Sequence, residues 1–347
     1  LYPGEAIRTP LVAMLFWQGE DYMTGNNAFR RFVLAHHTYK PTTEYASYTP
    51  LCGGMDWGDP APCNEYGCLT EEYAVAIIKR YEFFELKPEV IWLDAGWYEG
   101  AGGWNANWWN SVGSWVADKK RFPRGLKPLS EAAHSIGAKF MVWFEPERVY
   151  DGSLLAKEHP EWLLKVEPGN NLLDLGNKEA LDWVCKYIGD FLEENGIDYY
   201  RQDFNMAINP YWERFDEPGR KGMKEIRHIE GLYAFWDYLH ERFPNLMIDN
   251  CASGGRRIDL ETTSRSIPLW RTDYQYSEVN GYQCHTYALN FFLPLHGTGT
   301  YNIDPYGYRS SMSSATVCNW VLTGQGVTVP GMQNYMQQFQ ELRPYYL

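Results

Sequence analysis

Apolar positions along this chain fall into two alternating rhythms. Compact runs of β-branched and aromatic residues, bounded by Gly, Pro, Asp or Asn, predict strands, and longer stretches with apolar residues three and four apart predict helices. The strand-like runs are "TPLCGGMDW", "EVIWLDAG", "KFMVWFEP", "IDYYRQDF", "LMIDNC", "IPLWRTDY", "LNFFLPLH" and "VLTGQGV". Between them lie "TEEYAVAIIKRYEFFEL", opening on Thr70 as N-cap, "PRGLKPLSEAAHSIGA", stopping at Gly137, "KEALDWVCKYIGDFLEENG" and "EIRHIEGLYAFWDYLHERF". A strand-like "TPLVAMLFW" and a helix-like "NNAFRRFVLAHH" come first. Strand and helix in alternation imply right-handed crossovers and a parallel sheet. Eight strand-like runs, none followed by a Gly-rich GxGxxG turn, favour an α/β fold of the (β/α)8 TIM-barrel kind over a doubly wound sheet. Residues 1–45 are expected to be a lead-in strand and helix, and residues 46–347 the barrel.

Composition changes this picture mainly through its aromatics. The 347 residues include 15 Trp, 26 Tyr and 16 Phe, 16% of the chain, which suits either a large aromatic core or a surface that packs on sugar rings. A formal net charge of −13 and the lack of a basic run argue against a nucleic-acid or anionic-membrane partner. No apolar stretch reaches the ~18 residues of a spanning helix. The opening "LYPGEAIRTP" has no basic segment followed by an apolar one, so no signal peptide is visible. Seven cysteines are an odd number, and Cys52, Cys63 and Cys68 have no second pair at zinc spacing, so free or loop thiols are expected rather than a metal site. The compartment stays open.

Barrel enzymes place their chemistry where the strands end. Here those ends carry Asp56-Trp57, Asp94 with Trp97, Trp143 with Glu145 and Glu147, Arg201 with Asp203 and Asn205, Asp249-Asn250-Cys251, and Trp270-Arg271-Asp273. A rim of carboxylates and indoles is the equipment of glycoside hydrolysis, in which one carboxylate attacks or stabilises the anomeric carbon and another protonates the leaving oxygen. No GxSxG elbow and no HExxH occurs, and of the eight histidines only His296 ends a candidate strand, where a structural role is expected.

These strand ends resemble, in order, the motifs of glycoside hydrolase family 36, the bacterial-type α-galactosidases. "YYRQDFN" is similar to KWDMN, "DNCASGGRRID" to ENC(S/A)SGGGRFD, "LWRTDY" to WTSD, "WLDAGWY" to DDGWF and "VWFEPE" to LWFEPE, and "PGEAIRTP" with "FRRFVLAHH" resembles the lead-in to that barrel. The resemblance implies a retaining α-glycosidase without cofactor or metal. It makes Asp203 the nucleophile and Asp273 the general acid/base. It further implies that Asp94 meets sugar hydroxyls, that Trp57 and Trp143 form walls, that Arg201 lies near the ring hydroxyls, and that Cys251, Ser253 and Gly254 approach the 2-position. Trp97, Asn205, Trp270 and Arg271 complete the expected substrate site. A nucleophilic Asp must be ionised, which a guanidinium two residues away on the same strand face favours. The acid must hold its proton, so Asp273 should be raised by Asp203 and by desolvation from Trp270 or Tyr274. The two carboxylates should stand about 5–6 Å apart across the sugar.

The chain departs from that pattern in four places. Asp94-Ala95 replaces the paired acids, Arg201 replaces a lysine, Arg256 replaces the third glycine of GGG, and "DWG" with an insert carrying Cys63, Glu65 and Cys68 replaces NWE. A planar fork is not equivalent to a point charge, and a site built for one hydroxyl rejects analogues lacking it. The glycone is therefore expected to be galactose, with N-acetylgalactosamine and galactosamine as alternatives. Transglycosylation would use the same residues. The family's usual flanking β domains are expected in the full-length protein, and a homo-oligomer is left open.

Overall fold

Short apolar runs become short parallel strands. The computed structural model describes residues 1–40, 48–55, 66–102, 107–276, 278–322 and 328–346. Its strands are β1 (Leu51–Gly54), β2 (Val90–Leu93), β3 (Lys139–Phe144), β4 (Arg148–Tyr150), β5 (Leu163–Leu164), β6 (Asn170–Leu173), β7 (Tyr199–Gln202), β8 (Met247–Asn250), β9 (Gly299–Thr300) and β10 (Thr316–Cys318). Seven of them form one parallel sheet in the order β8-β7-β3-β2-β1-β10-β9, and β4, β6 and β5 make a small antiparallel sheet inserted after β3. Residues 267–271 supply the missing stave, sixth in chain order, between β8 and β9. Ile267 bridges Asp249 in parallel. Gly297 N donates to Pro268 O at 2.9 Å, and Arg271 N to Gly297 O at 3.1 Å. Those bonds close the curled sheet into the expected TIM barrel.

The outer helices are α1 (Tyr22–His36), α2 (Glu71–Phe83), α3 (Lys127–Ser135), α4 (Leu154–Glu158), α5 (Lys178–Asn195) and α6 (Asn209–Phe215). They continue with α7 (Met223–Arg242), α8 (Leu260–Thr263), α9 (Val279–Asn290), α10 (Pro305–Ser310) and α11 (Val329–Leu342). Local chemistry sets their ends as expected. The Thr70 side chain accepts from Tyr73 N at 3.2 Å to start α2, and Gly196, at φ +64°, ends α5 in the left-handed region that glycine adopts freely. Apolar stripes such as Ile77, Val184, Ile188 and Leu239 pack on the outside of the sheet. Inside the barrel, Cys52, Val90, Met141, Tyr199, Met247, Leu269 and Val317 fill the lumen, so an open space remains only above them, at the C-terminal strand ends. No helix among the described residues is long and apolar enough to cross a membrane.

Four expectations fail here. "TPLVAMLFW" forms no strand; Leu11, Val12, Met14 and Phe16 are exposed, with no neighbouring strand to pair with among the described residues. "LNFFLPLH" is not the seventh strand. Its apolar residues finish α9 and bury Leu293 and Leu295 around Pro294, which has no N–H to give a ladder. The seventh strand is the two-residue β9 and the eighth is β10, both too short to show a period. In "VLTGQGV", Val321 and Leu322 lie in no strand, and residues 323–327 lie outside the described residues. Cys68 is disulfide-bonded rather than a free thiol, while Cys63, like Asp56, Trp57 and Glu65, lies outside the described residues.

Below the rim, a buried network ties β7 to its neighbours. Glu147, fully buried, receives Arg257 Nη1 at 2.6 Å and Nη2 at 2.7 Å, His228 Nε2 at 2.8 Å and Gln202 Nε2 at 2.7 Å. Burial alone would raise the Glu147 pKa, but the Arg257 charge and the bonds from His228 and Arg257 outweigh it and hold the group well below the usual range. Glu147→Gln leaves the largely enclosed Arg257 without its charged partner and is expected to cost about 3 kcal/mol in denaturant unfolding. Because the folded pKa is depressed, this stabilisation is present above the ordinary glutamate value and is lost as pH falls through the folded one. The variant should therefore show a smaller loss of stability on acidification than the parent.

Candidate active site

One cavity of about 190 Å³ opens at the C-terminal strand ends. Asp94, Arg201, Asp203, Asn205, Cys251, Trp270 and Asp273 line it, together with Gly54, Met55, Tyr66, Leu69, Trp92, Leu93, Trp108, Trp109, Tyr301 and Asn319. Strand register brings this about, since Trp143, Arg201 and Asp249 stand abreast on β3, β7 and β8.

Asp203 follows β7 and is buried, and four N–H donors hold it. Its Oδ1 accepts from Phe204 N at 2.8 Å and Ser253 N at 3.2 Å; its Oδ2 accepts from Asn205 Nδ2 at 2.7 Å and Trp143 Nε1 at 3.1 Å. Burial works to raise its pKa, but the Arg201 charge, with bonds from Asn205, Trp143 and the Cys251 thiol, prevails and lowers it. Arg201 is itself fixed. Its Nη1 bonds Asp249, its Nε lies 3.3 Å from Asp94 Oδ2, and its guanidinium lies 4.3 Å from the centre of the Trp92 ring. Asp94 accepts from Trp92 Nε1 and from Ala95 N, each at 2.8 Å. Asp249, beneath, is pushed up to about 6 by burial against the pull of Arg201.

Asp273 stands at the exposed rim, on the turn that follows the stave 267–271. Surrounding atoms desolvate it and the Asp203 charge repels its ionised form, so its pKa is raised. Trp270 also donates its Nε1 to Asp273 Oδ1 at 3.0 Å, a bond that favours the charged form and moderates the rise.

The loop after β8 touches both acids. Ser253, in the left-handed region at φ +49°, gives its N–H to Asp203. Gly254, at φ +82°, lies so close to the next stave that a Cβ would meet Thr272 Cα at 2.8 Å and Asp273 N at 3.1 Å. Only glycine fits there. Ser253 and Gly254 are thus spacers between the carboxylates and are not among the residues lining the cavity.

Three expected site residues point elsewhere. Trp143 is buried under the cavity and serves Asp203 through its N–H. Trp97 lies behind it, donating to Trp143 O at 2.9 Å and packing on Phe144. Arg271 alternates with Trp270 along the stave and so faces away; it bonds His296 Nδ1 at 2.9 Å and the Thr286 hydroxyl. His296, fully buried, holds Asn290 Oδ1 through its other nitrogen at 2.8 Å, the structural role expected of it. Arg256 braces the spacer loop, with Nε to Ala252 O at 2.6 Å and Nη2 to Ser253 Oγ at 3.1 Å.

Sequence reasoning missed Trp92, Trp108, Trp109, Tyr301 and Asn319. Trp92 was readable, being two residues before Asp94 on the same strand face. Tyr301 and Asn319, joined by a 3.1 Å bond, follow the two strands that were misplaced. Among the described residues no group of three or more His, Cys, Asp or Glu could hold a metal ion.

Two carboxylates of opposite pKa tendency thus face one space the size of a sugar ring, the arrangement of a glycosidase. Comparison with known proteins agrees with this geometry. The melibiase family profile matches residues 73–285. The chain is 32% identical over 196 residues to the α-galactosidase Mel36A of Lactobacillus acidophilus, covering 54% of this chain and 26% of that protein. It is 28% identical over 285 residues to the α-galactosidase AgaA of Geobacillus stearothermophilus, covering 79% of this chain and 36% of that one. A crystal structure of an AgaA variant in complex with stachyose, a member of glycoside hydrolase family 36, superimposes with a TM-score of 0.77 at 21% identity over 92% of this chain and 45% of its own. The chain spans little more than a third of the length of these curated relatives at most. With the profile matched across more than half its residues and the barrel shared with family 36, the chain belongs to the melibiase family.

Proposed function

We propose that this chain is the catalytic portion of a retaining, exo-acting α-galactosidase. The observation that carries the reading is the opposed tuning of Asp203 and Asp273 on one cavity, the first pulled below the usual carboxylate range and the second pushed above it. Asp203 would attack the anomeric carbon as the glycosidic C–O bond breaks, while Asp273 gives its proton to the departing oxygen. Water would then attack the glycosyl ester, passing a proton to Asp273 and releasing Asp203. A space for one ring, closed below by the packed lumen, favours removal of a terminal residue. The names of the relatives supply the glycone: Mel36A and AgaA are α-galactosidases. The substrate class proposed for the whole protein is accordingly α-galactosyl oligosaccharides or glycoconjugates.

The test is a panel of nitrophenyl α-glycosides (galactoside, N-acetylgalactosaminide, galactosaminide, glucoside, arabinopyranoside), with the first-formed anomer read by NMR. The galactoside is expected to have the highest kcat/KM and α-galactose to appear before its β anomer. A β product appearing first would overturn retention, and a preference for either amino sugar would reassign the glycone.

A further inference from the structure

Resting on that reading, we propose that Trp108 and Trp109, set edge to face at 74°, form an aromatic corner that receives the ring of the leaving group, and that Arg148 is the positioning residue that fixes this corner to the nucleophile. The cavity takes one ring, and its inner end is occupied by the buried side chains of Trp92 and Arg201. Whatever is joined to that ring must leave past the mouth, where Asp273 stands exposed to meet the bridging oxygen. Trp108 and Trp109, half-buried, line the same mouth on the loop after β2. A half-exposed indole is a stacking surface for the apolar face of a second sugar or an aryl group.

Arg148 explains why the wall stays in place. It is fully buried, and its Nε and Nη2 grip Glu145 at 2.8 Å and 2.6 Å. Its Nη1 donates to Trp109 O at 2.9 Å, and its guanidinium carbon lies 3.7 Å from the centre of the Trp109 ring. Below it, Glu145 accepts from Asn205 N at 2.5 Å, and Asn205 in turn holds Asp203. A buried ion pair brings little net stability, because desolvation offsets its attraction. What this pair does supply is a rigid line from the tryptophan wall to the nucleophile. A flat guanidinium both stacks and forks, which an ammonium does not.

The experiment compares kcat/KM on an α-galactosyl disaccharide with that on α-galactosyl fluoride, whose leaving group has no ring to stack. Trp109→Ala is expected to lose at least tenfold more on the disaccharide than on the fluoride, chiefly through KM. Arg148→Met should show the same bias, and Arg148→Lys should not restore the parent ratio. Equal losses on both substrates would overturn the proposal and assign the wall to the first ring; no loss on either would overturn it too. Should Arg148→Met fail to fold by circular dichroism, Trp109→Ala, at the half-exposed mouth, still decides. Wild-type inactivity on the fluoride and on every nitrophenyl α-galactoside would instead remove the parent reading, and this one with it.

Discussion

Asp203→Ala is expected to lower turnover of nitrophenyl α-galactoside by more than about ten-thousandfold, with thermal unfolding still cooperative. The carboxylate is surrounded by Phe204 N, Ser253 N, Asn205 Nδ2 and Trp143 Nε1, all donors aimed at the oxygens that would form the ester. Alanine leaves them facing a gap of a few atoms, which azide can fill. Added azide should therefore restore part of the turnover and yield β-galactosyl azide, because it attacks the α-glycoside directly and inverts the centre once. Failure of the alanine variant to lose activity, or azide rescue giving the α product, would remove Asp203 from the nucleophile's role.

Asp273→Ala is expected to cost about 10²–10⁴-fold on a disaccharide, the usual range for a positioned acid. The loss should be smaller when the leaving group needs no proton. Azide should now give α-galactosyl azide, since it would attack the glycosyl–Asp203 ester and invert a second time. The pH profile supplies an independent check. Activity needs Asp203 charged, so it falls as pH drops through a pKa held low by Arg201 and its hydrogen-bond donors despite burial. It also needs Asp273 protonated, so it falls as pH rises through a pKa pushed up by desolvation and by Asp203. Asp273→Ala should abolish the alkaline limb and leave the acid limb where it was. An unchanged alkaline limb in the variant would mean that another group carries the proton.

The barrel was legible because its middle staves are strongly patterned. β2 and β3 are nearly continuous apolar runs, β7 opens on two buried tyrosines, and each turns polar where the lumen opens. That Asp203 and Asp273 line one cavity was legible for the same reason, since they sit one and two residues past their staves. β9 and β10 were not, because two or three residues carry no period and their surroundings are small and polar, including the buried Ser313 and Ser314. With those strands misplaced, Tyr301 and Asn319 had no address. The tryptophans divided on a subtler point. Trp143 and Trp97 share a motif with acids yet lie beneath the cavity, where their N–H groups serve a carboxylate and a carbonyl. Trp108 and Trp109, in a loop without pattern, reach the cavity itself. Arg271 turns away from the cavity because alternation along the stave sets it opposite its neighbour Trp270, against His296 and Thr286.

The closure of the barrel gives its two carboxylates unequal freedom. Asp203 extends from a stave laddered on both sides, to β3 and β8, and its own N–H is bonded to Phe144 O at 2.8 Å. Asp273 extends from the stave joined by a single bridge on one side and a pair of backbone bonds on the other. One acid is thus mounted on an anvil and the other on a leaf spring. In the proposed mechanism that difference fits the two roles: the nucleophile would strike the same point in every cycle, whereas its companion would follow an oxygen that departs and then a water that arrives from a slightly different place.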